Sequence, residues 1–495
     1  MSGADARSQP GAALESREAG GRVIRGGLVR SLGYAAGAVL TAAASVLLLR
    51  YLSVADFGRY VTVMSVVAIV GGLADAGLTL IGQREYATAP TERARRALLA
   101  DLVALRLVIT PIGVLLALLF GLAVGYERPM LEGIALAGAG TVLAVVAGSL
   151  VVPLTTQLRF ASATAVELTR QAAIAIGIAC LVAIGAPFAA FFLNHIAAGA
   201  VSVLVAVLLI GSARALRPRF APREWRRLLA EALPVAASSV VNVAYMRALV
   251  ILMSVLASAQ ATGLFATSYR VVEVLVGVPQ LMVGAAFPVL AHAGAYDRER
   301  LAYAVQRSTE AAFVAGLALA IAVSIAARPA IELLGGSRYE GAAPVLSIHV
   351  FGLVGAFVTQ AWALALVSIR QQRALITVNL VGLATVAALG VPLVMVLGAT
   401  GAALAAVVGE LALAGSLLFF LVRADSSTAP DLRPVAKALA IAAACFAVGH
   451  LLPIAEVAAA FLASASFLLV AWRLRLLPRE VTDALWPGSR LPGAR

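Results

Sequence analysis

Charge is scarce in this chain. Asp, Glu, Lys and Arg make up 13% of its 495 residues, against roughly 25% in a soluble globular domain. The deficit persists along the whole length, and mean hydropathy is +0.97. A water-soluble enzyme or binding domain is therefore excluded. Cysteine is nearly absent. Cys180 and Cys445 both fall inside apolar runs, without CxxC or metal-ligand spacing, and read as inert packing residues. Lysine occurs once, at Lys437. Large hydrophilic loops are missing as well. The longest candidate outer loop, "ARPAIELLGGSRYEGAAP" at 327–344, has room for one short helix. No extramembrane segment can fold as a catalytic domain, and no His/Asp/Glu cluster offers general acid–base chemistry. Nothing calls for a cofactor or a metal ion.

What is present is apolar sequence in lengths that cross a bilayer. Only helices and closed barrels satisfy their backbone polar groups in lipid. The runs are too long and uniform for barrel strands of about ten alternating residues. The expected fold class is an all-α polytopic membrane protein. With about 1.5 Å of rise per residue and a core of about 30 Å, fourteen spans fit. Loop charge tests that count. With both termini cytoplasmic, 30 of the 38 Lys and Arg residues lie on inner segments and five (Arg50, Arg59, Arg128, Arg328, Arg338) on outer ones. Arg106, Arg247 and Arg270 fall within spans. This is the positive-inside pattern, and it accounts for the net charge of +13 without nucleic acid. The basic residues lack the interleaved aromatics that stack on bases.

The chain also repeats itself. A shift of 205 positions lays Ser53 on Ser258, Gly58 on Gly263, Tyr60 on Phe265 and Thr62 on Thr267. The same shift lays span 1 on span 7 and span 2 on span 8. Two six-helix lobes in the same orientation imply a pseudo-twofold axis along the membrane normal, as in secondary transporters. The expected organisation is a disordered N-terminus over 1–25, an N-lobe over 26–213 and a cytoplasmic linker over 214–231. A C-lobe over 232–423 follows, then a cytoplasmic loop over 424–437, two further helices over 438–474 and a cytoplasmic tail over 475–495.

"LRYLSVADFGRY", followed by "LADAGL" and "REYA", resembles the opening of the polysaccharide flippases, the Wzx-type branch of the multidrug/oligosaccharidyl-lipid/polysaccharide exporter superfamily. "GLFATSYRVVEVLVGVP…AFPVLA", "LLGGSRY…APVL" and "LGATGAALAAVVGE" resemble that family's span 8, its outer helix before span 10 and its span 11–12 turn. The resemblance covers about residues 25–425. It implies two lobes around a central cavity that move lipid-linked glycans from inner to outer leaflet of the bacterial plasma membrane. Membrane lipids and the lipid-linked oligosaccharide are then the partners, with glycan polymerase or assembly proteins beside them. It also makes spans 13 and 14 an addition carried by some relatives only.

Charges inside the spans are the candidate substrate-binding residues. A mid-helix Arg or Asp costs roughly 2.5–3.5 kcal/mol on insertion scales, so each needs a reason. Arg247 in "VAYMRALVIL" is the deepest. Its guanidinium suits pyrophosphate oxygens and stays charged; the structural alternative is an ion pair with another helix. Arg270 and Glu273, three apart on span 8, share a face and either neutralise each other or present Arg270 to the cavity. Asp75 and Arg106 lie nearer the inner surface and read as a mutual pair or as an entry gate. Glu410, deep in span 12, reads as an interhelical contact, and His195 as a packing residue. The rival functions are a cation-coupled drug exporter, a membrane glycan enzyme and a non-transporting scaffold. The exporter typically needs coupling acids in span 1 or span 10. "SLGYAAGAVLTAAASVLLL" has none, nor has the stretch from Ser347 to Ile369.

Overall fold

The computed structural model describes residues 19–75, 77–211 and 217–478. Among them there are helices and no strands. The N-terminal stretch before residue 19 and the tail beyond residue 478 lie outside the described residues, as do residues 212–216 of the expected linker. In chain order the helices are α1 (Ala19–Tyr51), α2 (Val54–Asp75), α3 (Leu78–Thr88), α4 (Glu92–Ala123), α5 (Arg128–Thr156), α6 (Phe160–Ala183) and α7 (Phe188–Ile210). Then come α8 (Pro222–Leu256), α9 (Ala259–Tyr296), α10 (Arg298–Ile325), α11 (Ala327–Gly335), α12 (Ala343–His349) and α13 (Gly352–Ser368). The last are α14 (Ala374–Ala424), α15 (Arg433–Leu451) and α16 (Glu456–Arg473). A 3₁₀ turn over Ser337–Ala342 leads into α12. The first helix begins at Ala19, twelve residues before the first span expected from hydropathy, so residues 19–25 are helical.

Among the described residues twelve helices are long and apolar enough to cross a membrane. A thirteenth candidate is a bent pair, Ser337–His349 with Gly352–Ser368, at 46°. The fourteen spans expected from the sequence differ from this count at α14. At 51 residues that helix would reach about 76 Å, more than twice a 30 Å core. It is not straight. Gly398 takes φ 58° and ψ −128° inside it, a left-handed conformation that glycine tolerates. A Cβ placed on Gly390 would lie 3.8 Å from Cβ of Ala405, so the two arms run back alongside each other.

The described chain divides into two compact units. Unit 1 holds residues up to Leu52 and Arg59–Arg247; unit 2 holds Ser53–Gly58 and everything from Ala248. In unit 1, α5 packs on α4 and α7, and α1 packs on α6. In unit 2, α13 packs on α9, α10 and α14, while α15 and α16 pack on α10. The basic segment after residue 217 is no separate linker helix. From Pro222 it runs on without a break into span 7 as the 35-residue α8.

The 205-residue shift reappears in the helix ends. It carries Tyr51, which closes α1, onto Leu256, which closes α8, and Val54, which opens α2, onto Ala259, which opens α9. The residues before those starts act alike. Ser53 Oγ accepts from Asp56 N at 3.1 Å, and Ser258 Oγ accepts from Ala261 N at 3.1 Å; both satisfy a donor that the first turn leaves open. Within unit 2 these two starts meet. A Cβ on Gly58 would stand 2.6 Å from N of Gly263 and 2.7 Å from O of Ala259, and one on Gly263 would collide with the carbonyl of Val54. The backbones touch because neither residue has a side chain. The ring of Tyr339 lies edge-on to Phe57 at 6.1 Å and covers the crossing.

Replacing Gly58 or Gly263 by Leu is expected to cost about 1–3 kcal/mol or more, read as a lowered unfolding midpoint of purified protein; an unchanged midpoint would show that the crossing is loose. Alkaline phosphatase fused after Gly125 or Gly185 is expected to be active, and after Arg159 or Arg373 inactive. The reverse pattern would invert the topology.

Candidate functional site

In unit 1, span 2 breaks where its acid sits. α2 ends at Asp75 and α3 starts at Leu78, with Gly77 between them at φ 71°. A Cβ there would lie 2.8 Å from Cβ of Val235 on α8, so close passage of α8 demands glycine as much as the turn does. A carboxylate at a helix C-terminus meets the negative end of the helix dipole. Two donors offset that. Thr79 Oγ1 donates to Asp75 Oδ1 at 2.5 Å, and Arg106 Nη2 donates to the same oxygen at 2.5 Å.

Arg106 is 1% exposed. Its Nη1 donates to the carbonyl of Val145 at 3.0 Å and to Ser149 Oγ at 2.9 Å, while Nη2 also reaches Thr79 Oγ1 at 2.6 Å. One guanidinium thus ties α2, α3, α4 and α5 together; only its Nε lacks a partner. The Asp75 side chain remains 50% exposed. The pair that the sequence placed near the inner surface is formed, and its cationic half is sealed. Arg106 is a positioning residue.

At the inner end of the same unit a second network joins α3 to α8. Arg227 meets Glu85 at 3.1 Å, Glu231 at 3.0 Å and Glu224 at 2.5 Å, and Arg84 bridges Glu85 and Glu231. Beneath it Trp225 packs on a cluster that includes Leu78, Ile81, Leu102 and Leu228. Hydropathy could not show this docking, because the partners lie about 140 residues apart in sequence.

Arg247 is the last residue of unit 1. It is half-buried and lies about 14 Å along α8 from Leu256 at the helical rise. Arg270 lies in unit 2, about 16 Å along α9 from Ala259 by the same rise. Both sit near the middle of a 30 Å core. Arg270 Nη1 donates to Glu273 Oε2 at 2.6 Å, and both side chains keep some exposure, 20% and 29%. Its Nε is buried without a partner. On the outward side, Ser268 Oγ and His349 Nδ1 lie 3.0 Å apart, and His349 stacks on Phe265 at 5.3 Å. That pairing is invisible to sequence reading, because an isolated Ser and His on separate helices carry no spacing signal. Glu410 packs behind α13, where a Cβ on Gly355 would stand 2.8 Å from its own Cβ. His195 faces the Tyr60 hydroxyl at 3.2 Å.

The fold is like that of several solved membrane transporters. The lipid II flippase MurJ, in an inward closed conformation, superposes at a TM-score of 0.72 with 13% identity, covering 91% of this chain and 100% of that one. An inward-facing multidrug resistance MATE transporter of the MOP superfamily gives 0.62 with 14% identity, covering 79% and 95%. A MATE structure in complex with MaD3S gives 0.56 with 15% identity, covering 82% and 96%. No curated protein sequence matches the chain. The model of the polysaccharide biosynthesis protein family matches residues 47–344, and the chain belongs to that family.

Breaking one partner of a buried ion pair costs about 3–5 kcal/mol. Arg106→Gln is expected to lower the unfolding midpoint strongly through loss of its four hydrogen bonds, and Asp75→Asn also, because it leaves a sealed guanidinium without its counter-charge. An unchanged midpoint in either variant would mean that the pair does not hold these helices together.

Proposed function

We propose that this protein is a flippase for a lipid-linked oligosaccharide, carried on a polyprenyl pyrophosphate, and that it moves the head group from inner to outer leaflet of a bacterial plasma membrane during surface polysaccharide synthesis. The observation that carries the reading is Arg270. It is a permanently charged guanidinium at mid-membrane depth, partly accessible, held by one acid and left with an unmatched N–H. Such a group is costly in a span unless it serves an anion, and its planar fork matches phosphate oxygens. Family membership points to the same class of work.

In this mechanism the inward-open protein takes the pyrophosphate on Arg270, with Arg247 a second candidate cation. Glu273 holds Arg270 in orientation while the site is empty. The glycan stays hydrated and the polyprenyl chain remains in lipid. The lobes then close inward and open outward, and the head group leaves. Asp75 and Arg106 keep the inner ends of α2, α4 and α5 in register; they do not hold substrate.

A second reading, a cation-coupled multidrug exporter, draws on the fold likeness to the MATE structures. It lacks the acids such exporters place in span 1 and span 10, since α13 has none and α1 has none.

The test replaces Arg247 and Arg270 by Ala in cells that depend on this gene for surface glycan. Losing a charge-assisted contact is worth about tenfold or more. Surface glycan is expected to fall at least that far while the precursor accumulates, with protein level and drug sensitivity unchanged. Normal glycan at normal protein level would remove these arginines from transport, and a drug-sensitive phenotype would favour the exporter.

A further inference from the structure

One cavity in unit 2 belongs to neither network nor to the arginines above. It measures about 290 Å³ and is lined by Ser324, Arg328, Ser347, His450 and Glu456, with apolar walls that include Ile325 and Ile454. Three helix ends converge on it: α10 stops at Ile325, α15 stops at Leu451 and α16 starts at Glu456. The cavity therefore sits where the spans leave the membrane, on the side that the arginine distribution assigns as outer. The pair α15–α16 is fixed against α10 by a cluster of Leu317, Ile321, Ile325, Ala442, Ala463 and Phe467, and by Ser464 Oγ donating to the carbonyl of Ala318 at 2.8 Å.

The charges in the cavity are of both signs. Arg328 gives Nε to Glu332 at 3.1 Å and Nη2 to Glu340 at 2.7 Å, which leaves three of its five N–H groups uncommitted. His450 also lines the cavity. Glu456 forms no direct ion pair among the described residues, though its charge acts on Arg328. Its first-turn position on α16 suits a carboxylate, and its charge is open to a cation. Beyond the rim the surface is apolar: Leu451 is 82% exposed, Val457 60% and Phe461 72%.

We propose that this cavity binds the zwitterionic head group of an outer-leaflet aminophospholipid. The phosphodiester takes N–H groups of Arg328 and His450, the primary ammonium takes the carboxylate of Glu456, and the acyl chains lie along the exposed face of α15 and α16. Size and chemistry select this ligand. Pockets for drug-sized ligands begin near 300 Å³, so the space suits a phosphoethanolamine unit and is too small for an oligosaccharide. Among the described residues no Phe, Tyr or Trp ring lines it to stack on a sugar face. A purely anionic head group would bring its charge against Glu456, with Glu332 and Glu340 close behind Arg328. The site clamps the tip of the α15–α16 pair to α10, and it stands independently of what the protein transports.

The experiment is native mass spectrometry of the full-length protein in detergent, titrated with phosphatidylethanolamine, phosphatidylglycerol or water-soluble phosphoethanolamine. Phosphatidylethanolamine is expected to bind about tenfold more tightly than phosphatidylglycerol, and Glu456→Gln to remove that preference by the same factor, as for loss of one charge-assisted contact. Glu456 acts on the fold only through the first turn of α16 and at a distance on Arg328, so the variant is expected to move its unfolding midpoint little. Binding of phosphoethanolamine alone would show that the head group suffices, and binding of the whole lipid only would show that the apolar rim contributes; either supports the proposal if E456Q abolishes it. Equal affinity for the two lipids, or phosphatidylethanolamine binding unmoved by E456Q, would overturn it.

Discussion

Everything in this fold follows from the poverty of lipid as a solvent for charge. Hydrocarbon offers no partner to a buried guanidinium, so each intramembrane arginine must find one in the protein or be reserved for a ligand. The chain shows both solutions. Arg106 spends four hydrogen bonds on Asp75, Thr79, Ser149 and the Val145 carbonyl and is closed to anything else. Arg270 spends one ion pair on a neighbour in its own helix and stays partly open. The difference between a sealed arginine and one still open to a ligand is thus a difference in how completely its donors are used.

Helix association obeys the same economy. Lipid tails are as apolar as Leu, so helices gain from close van der Waals contact and from small residues that permit it. The crossing at Gly58 and Gly263, the passage of Val235 over Gly77, and the seat of Glu410 behind Gly355 are all of this kind. Two of these contacts lie at the outer starts of α2 and α9 and at the break in span 2.

Much of this was legible in the sequence. The recurring apolar runs and the arginine alternation set the class, and the 205-residue shift anticipated which helix ends correspond, because both depend on local patterns. Depth alone offers Asp75 and Arg106 as a mutual pair or an entry gate, and the pair is formed. What the sequence withheld was non-local. Nothing in it told that α8 would be continuous from Pro222, that Arg227 would reach Glu85, or that His349 would face Ser268. The Gly398 turn was visible as a span boundary, whereas the bend between α12 and α13 was not, since hydropathy is blind to direction. The outer cavity escaped notice because its residues come from three segments spread over 130 positions, each unremarkable alone.

The central claim is that the protein carries an anionic, lipid-linked glycan across the bilayer. The most direct measurement reconstitutes purified protein in liposomes whose inner leaflet holds a labelled polyprenyl-pyrophosphate oligosaccharide, and follows exposure of the sugar to an impermeant lectin. The account predicts exposure that depends on the protein and is competed by unlabelled polyprenyl-pyrophosphate glycan. Exposure no faster than in empty liposomes, from protein that is folded and correctly inserted, would contradict it.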